Sequence, residues 1–203
     1  MWNPGPVAMS TRPVALDLGC GTRKRPGALG LDLVRVAGVD VVGDVTRLPV
    51  RDGSVDEVYA SHLVEHIDDL MGFMGEVWRV CRPGALVYFR FPHATTSYFI
   101  WKDPTHRRGV VLDTFDYFDP RTSEGRAFGY YQPARFQILK QRLTFNLNAD
   151  APVAGRARRV AGTIFDALAN RSERAQYFCE RFWGPLVGME EAHIWLRAIK
   201  PGG

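Results

Sequence analysis

Residues Leu16-Asp17-Leu18-Gly19-Cys20-Gly21-Thr22 run an apolar strand straight into a turn whose two glycines stand two positions apart. Residues 13–18 predict a buried parallel strand with Asp17 near its exit. Neither glycine carries a Cβ, so a ligand can come closer to this backbone than any Cβ would allow. A strand that opens into such a turn delivers its ligand to the carboxyl edge of a parallel sheet. A nucleotide-type cofactor with an ammonium group within reach of Asp17 fits that edge.

The following residues supply the rest of such a sheet. Residues 29–33 predict a second strand carrying Asp32, and 39–42 a third, followed by Asp44. Residues 55–60 predict a fourth, opening into Ser61-His62-Leu63-Val64-Glu65-His66. Leu70, Phe73, Met74, Val77 and Cys81 recur at helical spacing, and Arg82-Pro83-Gly84 should end that helix. Residues 85–91 predict a fifth strand. Strands alternating with crossovers mean a parallel α/β sheet.

The dinucleotide-binding pattern fails on two counts. Its third glycine position holds Lys24, and Asp32 follows Gly19 too soon for an acid expected about twenty residues on. Pro26-Gly27 would also break a helix between the first two strands. In its place stand Arg23, Lys24 and Arg25. From their position after Gly21 they are expected to do what a helix dipole would do for a carboxylate, with Lys24 the foremost. A solvated basic turn is the alternative.

Taken in order, Leu16 to Gly21, Asp32, Asp44-Val45-Thr46-Arg47-Leu48-Pro49 and Glu76-Val77-Trp78-Arg79-Val80-Cys81-Arg82-Pro83-Gly84 resemble the class I S-adenosylmethionine-dependent methyltransferases. The likeness covers roughly residues 13–92. The Ser-His-x-x-Glu-His segment, Asp103-Pro104-Thr105-His106 and a final strand entered through Glu190-Glu191 are similar to one branch of small bacterial members. The resemblance implies a Rossmann-like sheet, mostly parallel, with an antiparallel last strand lying between strands five and six. It implies S-adenosylmethionine as cofactor and S-adenosylhomocysteine as product. Asp17 would then hold the methionine amine, Asp32 the ribose and Asp44 the adenine amino group. Gly19, Cys20, Gly21, Leu33, Val45, Ser61 and His62 would complete the cofactor contacts beside Lys24.

The chain's 203 residues read as one domain. Residues 1–12 read as a loose lead-in, and 150–187 as a helical insertion serving as a lid or a dimer contact. No apolar run reaches the roughly twenty residues of a membrane span, and nothing resembles a signal peptide. Cys20, Cys81 and Cys179 are scattered without zinc spacing, which suits a cytoplasmic protein. The net charge is +4, and the arginine cluster at 156, 158 and 159 lacks interleaved aromatics. A solvated helix face is expected there in preference to a nucleic-acid surface.

Beyond strand five, Pro92-His93 leads into a segment rich in aromatic residues and histidine. It is read as a shaped loop because of the Asp103-Pro104 step. Phe115, Tyr117 and Phe118 suggest a short helix introduced by Asp113 or Thr114. Residues 135–146 and 192–199 read as the last two strands, with helix-like stretches at 157–170 and 173–182 between them.

Methyl transfer needs two reactants aligned, so a base is optional. Where one acts, an imidazole at the ligand edge is expected. His106 is favoured, with Asp103 orienting it, and His93 and His66 stand as alternatives. His93, Tyr98, Trp101, Asp103, His106, Arg107 and Tyr130 or Tyr131 are the expected contacts of a small anionic or aromatic acceptor. Two rivals use the same residues. His62-Leu63-Val64-Glu65-His66 spells H-x-x-E-H, so a zinc metallohydrolase can be drawn with His62, Glu65 and His66 and with His93, Asp103 or His106 as a further ligand, a noncatalytic bound metal being the weaker form of the same reading. The segment follows a strand too closely to preplace two helical ligands, so no metal is assigned. A cofactor-binding regulator without turnover is the other.

Overall fold

The computed structural model describes residues 13–145 and 156–200. One seven-stranded sheet organises them, in the order β3-β2-β1-β4-β5-β7-β6. Its strands are β1 (Ala15–Leu18), β2 (Leu29–Asp32), β3 (Val41–Val42), β4 (Val55–Ser61), β5 (Cys81–Pro92), β6 (Phe136–Thr144) and β7 (Glu191–Ala198). The first five pair in parallel. β7 runs antiparallel to both β5 and β6, as expected of the last strand. The result is a Rossmann-like sheet, mostly parallel with an antiparallel last strand, as the resemblance implies.

No helix joins β1 to β2, β2 to β3 or β3 to β4. The first crossover helix is α1 (Leu70–Val80), introduced by Asp69, whose carboxylate accepts from Gly72 N at 2.8 Å. Leu70, Phe73, Met74, Val77 and Val80 recur every three or four residues and are all buried. Their partners are the alternate residues of β5: Val87, Phe89 and Phe91 are buried, and Phe73 and Phe115 flank Phe89 at 5.7 and 5.8 Å between ring centroids. Burying a side chain of this size contributes about 1.5–3 kcal/mol.

The structure moves several expected boundaries. Cys81 opens β5 and does not end the helix. Arg82-Pro83-Gly84 is absorbed into an irregular start of that strand, where the register against β4 shifts and Gly84 takes φ 78°. The loop expected after His93 contains a helix, α2 (Ser97–Lys102). The proline of Asp103-Pro104 sets where that helix stops, since it restrains only the residue before it. The turn carrying Phe115 spans Leu112–Phe118, beginning ahead of the expected Asp113. After it come α3 (Ser123–Phe128), capped by Thr122, then α4 (Arg156–Ala169), α5 (Glu173–Phe178) and α6 (Gly184–Val187). The lead-in at 1–12, Asn146 and residues 150–155 lie outside the described residues. No described helix is long and apolar enough to cross a membrane.

The described part of the insertion is tied to the sheet by buried polar contacts. Asn170 bonds Leu143 at both N (2.8 Å) and O (2.7 Å), and Gln176 donates to Gln141 O at 2.9 Å. Between α5, β6 and the 112–118 turn lies an acidic cleft of about 780 Å³, which Asp113, Asp116, Asp119, Glu173 and Glu180 enter beside Arg121 and Arg174. Burial, reinforced by the charges of Asp113, Glu124, Asp119 and Glu180, pushes the Asp116 carboxyl up to about 7. Its folded-state value exceeds its unfolded one, so the stability it contributes is lost as pH rises from about 4 through about 7. Asp116→Asn is therefore expected to stabilise the protein at pH 8 by about 1 kcal/mol after solvent screening. That corresponds to a melting temperature about 2–4 °C higher. Calorimetric melts at pH 4 and pH 8 check it, since the gain should vanish at the lower pH.

Candidate functional site

The carboxyl edge of β1 and β4 opens into a cleft of about 550 Å³. Asp17, Gly19, Cys20, Gly21, Ser61 and His62, all expected at the site, line it together with Thr22, Arg23, Tyr59 and Arg90. Both turn glycines take left-handed φ, 64° at Gly19 and 50° at Gly21. A Cβ on Gly19 would stand 2.9 Å from Leu63 Cδ1, whereas one on Gly21 would enter open space at the mouth. The first glycine is thus required by packing as well as by backbone conformation, the second by backbone conformation alone.

Asp17 is 2% exposed, and burial holds its carboxyl above the usual range. Its Oδ2 accepts from Arg25 N at 2.6 Å, which folds the basic turn back over the strand end. Asp32 accepts from Gly21 N at 2.9 Å and from Val34 N at 3.1 Å, bracing the glycine turn from the neighbouring strand. Asp44 Oδ1 accepts from both N and Oγ1 of Thr46 at 2.8 Å. Leu33 is 70% exposed beside Asp32, and Val45 is buried. Each carboxylate offers about four lone-pair sites, so all three keep acceptor capacity for a ligand.

The three basic residues after Gly21 separate. Arg23 lines the cleft. Lys24 instead pairs with Asp40 at 2.7 Å, its stem lying over Gly30. Arg25 sits over the Tyr59 ring at 5.5 Å. Arg90 was missed by the sequence reading, although a lone cation between Phe89 and Phe91 in an apolar strand was the available signal. Its Nη2 lies 3.1 Å from Glu191 Oε1, which His62 Nε2 approaches to 3.0 Å. The carboxylates of Glu191, foremost, and Glu65 hold the His62 imidazole up to about 9, so it is cationic at neutral pH. His62 also has φ 54°, the one positive value at a non-glycine among the described residues. Such backbone conformations persist where the surroundings over-determine them.

His93 and His106 do not line the cleft. His93 is fully buried, with Nε2 2.6 Å from Glu180 and Nδ1 2.9 Å from Thr95 Oγ1. Glu180 also accepts from Leu112 N at 2.9 Å, so this pair locks the insertion to the end of β5. His106 Nδ1 donates to Ile100 O at 2.8 Å, so that carbonyl orients the ring. Asp103, the expected orienting group, stands 3.9 Å from His106 Nε2 and accepts its hydrogen bonds from Thr105 N at 2.8 Å and Thr105 Oγ1 at 2.6 Å. Trp101, Tyr130 and Tyr131 are exposed, Arg107 N donates to Glu65 O at 2.8 Å, and the Tyr98 side chain lies outside the described residues. His62 and His66 share no helix face either, because the helical turn spans only Val64–His66. The metallohydrolase arrangement is therefore not formed.

Residues 33–89 match the model of a methyltransferase domain. An uncharacterized methyltransferase of Mycobacterium sp. (strain KMS) is 39% identical over 79 residues, 38% of this chain and 29% of that protein. The malonyl-[acyl-carrier protein] O-methyltransferase of Yersinia pestis is 35% identical over 94 residues, 37% of this chain and 35% of that one. The chain thus aligns with only about a third of the length of these curated relatives. Among solved structures, a SAM dependent methyltransferase from Archaeoglobus fulgidus superposes with a TM-score of 0.54 at 19% identity, covering 91% of this chain and 86% of that one.

Proposed function

We propose that this chain is an S-adenosylmethionine-dependent methyltransferase acting on an oxygen or nitrogen of a small acceptor. One observation carries the reading: carboxylates stand at the carboxyl ends of three adjacent strands, where Asp17 lines a cleft large enough for an adenosyl amino acid and Asp32 braces its left-handed glycine turn. The match of residues 33–89 to a methyltransferase domain supports it. When bound, the sulfonium cofactor supplies an activated methyl group.

The chain's own residues then bind, orient and exclude water. Asp17 faces the methionine ammonium, Asp32 takes the ribose hydroxyls and Asp44 the adenine amino group, with Leu33 and Val45 flanking the base. Ser61 and cationic His62 border the methionine end, where Arg23 and Arg90 supply positive charge for its carboxylate. Lys24 contributes indirectly, by fixing the basic turn to Asp40. Aligning two bound reactants is worth roughly 7–11 kcal/mol, so transfer proceeds without a dedicated base. Both ring nitrogens of His93 are engaged, which agrees with that. The exposed Phe178, Phe182, Trp183 and Leu186 of the insertion support its use as a lid or a dimer contact over a purely solvated surface.

Calorimetric titration with S-adenosylmethionine and S-adenosylhomocysteine tests the binding half. Micromolar dissociation constants for both are expected, and no heat from either would overturn the reading. A labelled-methyl assay over small hydroxyl and amine acceptors tests the transfer.

A further inference from the structure

Beside the cleft, but outside its lining, three side chains from two segments converge. Glu65 is fully buried, and neither of its carboxylate oxygens has a hydrogen-bond partner. Its Oε1 lies 3.4 Å from His62 Nδ1, an ion-pair distance without hydrogen-bond geometry. His106 donates from Nδ1 to a carbonyl, leaving the Nε2 lone pair directed inward, 4.0 Å from Glu65 Oε1 and 3.9 Å from Asp103 Oδ2. His66 Nδ1 faces Thr105 O at 3.3 Å and Thr105 Oγ1 at 3.0 Å. The Thr105 hydroxyl already donates to Asp103, so His66 Nδ1 carries the hydrogen and its Nε2 keeps a lone pair. The two imidazoles meet edge to face at 4.6 Å, and one ligand atom each from Glu65, His66 and His106 lie within 4.8 Å of one another.

We infer that Glu65, His66 and His106 bind one divalent transition-metal ion of the zinc class, with Asp103 as fourth ligand. Two imidazole nitrogens and carboxylate oxygens are the donor set such ions select. Each imidazole donates its other ring hydrogen to an oxygen acceptor, the outer contact that fixes a ligating tautomer. Beyond its ion pair with His62, this buried carboxylate accepts no hydrogen bond, which leaves its lone pairs for a metal cation. Bonds of about 2.0–2.1 Å place tetrahedral ligands about 3.3 Å apart, so the three atoms, now within 4.8 Å of one another, need to draw in by up to about 1.5 Å, with Asp103 Oδ2 following from 3.9 Å off His106 Nε2. This set differs from the H-x-x-E-H protease arrangement, because His62 is held between Glu65 and Glu191 and the second imidazole comes from a distant loop. The ion would clamp the 103–106 loop onto the 64–66 turn at the cleft's edge. The inference does not depend on methyl transfer, since the ligands lie outside the cleft lining.

Full-length protein stripped with chelator and dialysed is titrated with zinc chloride in a calorimeter and with cobalt(II) chloride in a spectrophotometer. One zinc per chain is expected, with a raised melting temperature and the visible bands of four-coordinate cobalt. Glu65→Gln and His106→Ala should each weaken binding at least tenfold. Should either fail to fold by circular dichroism, His66→Gln, at a half-buried position, carries the same expectation. Absence of stoichiometric binding, undiminished affinity in folded variants, or a cobalt–thiolate band placing the ion on cysteine would each overturn the site.

Discussion

Asp32→Ala is expected to weaken S-adenosylhomocysteine binding about 100-fold while the protein stays folded. The carboxylate has two duties. It accepts from Gly21 N at 2.9 Å, fixing the turn, and on the proposed reading it also accepts from two ribose hydroxyls. Hydrogen bonds to a charged group are each worth about 1.5–3 kcal/mol, and leaving partners unsatisfied adds to the loss. A total near 3 kcal/mol corresponds to roughly two orders of magnitude in dissociation constant. Asp32→Asn separates the duties, because one amide oxygen can still accept from Gly21 N. That variant gives up only the exposed bond from Val34 N, so it should melt close to the wild type and still bind tenfold more weakly or worse. Equal affinity in the asparagine variant would remove Asp32 from the ligand's contacts and leave it a brace of the turn.

The largest stability effect is expected at Gly125, far from the cleft. A Cβ there would stand 1.9 Å from Asp119 O, 2.6 Å from Asp119 C and 2.9 Å from Asp116 O. All three are backbone atoms, so no side-chain rotation relieves the overlap. They are also held in place: Thr122 Oγ1 donates to Asp116 O and Asp119 O, and accepts from Gly125 N at 2.9 Å. Gly125→Ala should therefore cost about 3 kcal/mol, the upper end of the usual overpacking range. Gly75→Ala is the matched control. It lies within α1 with nothing inside 4 Å of the added carbon, so alanine's better helix propensity should stabilise it by about 0.5–1 kcal/mol. Urea denaturation of both variants measures the contrast, and similar midpoints would refute the close approach.

The local signals succeeded where the physics is local. Gly19 and Gly21 read as a tight turn because left-handed backbone needs glycine, and both adopt it. The apolar spacing from Leu70 to Val77 read as a helix because burying one face requires that period. Failures came where a signal has two readings. Asp103-Pro104 marks the end of a helix as readily as a loop, and Pro83-Gly84 fits an irregular strand as well as a turn. Partners distant in sequence were invisible. Glu180 reaches His93 from the insertion, and Glu191 meets His62 from the last strand.

What the sequence determined by itself was the order of strands and the residues at their exits, because each follows from burial patterns and turn chemistry within a few neighbours. Tertiary structure alone decided which histidines face the cleft and which are spent inside the fold. It made His62 a cation, seated His93 against Glu180, and turned His106 toward Glu65. Charge state and ring orientation depend on groups that fold into contact across the chain, and no local pattern encodes those distances.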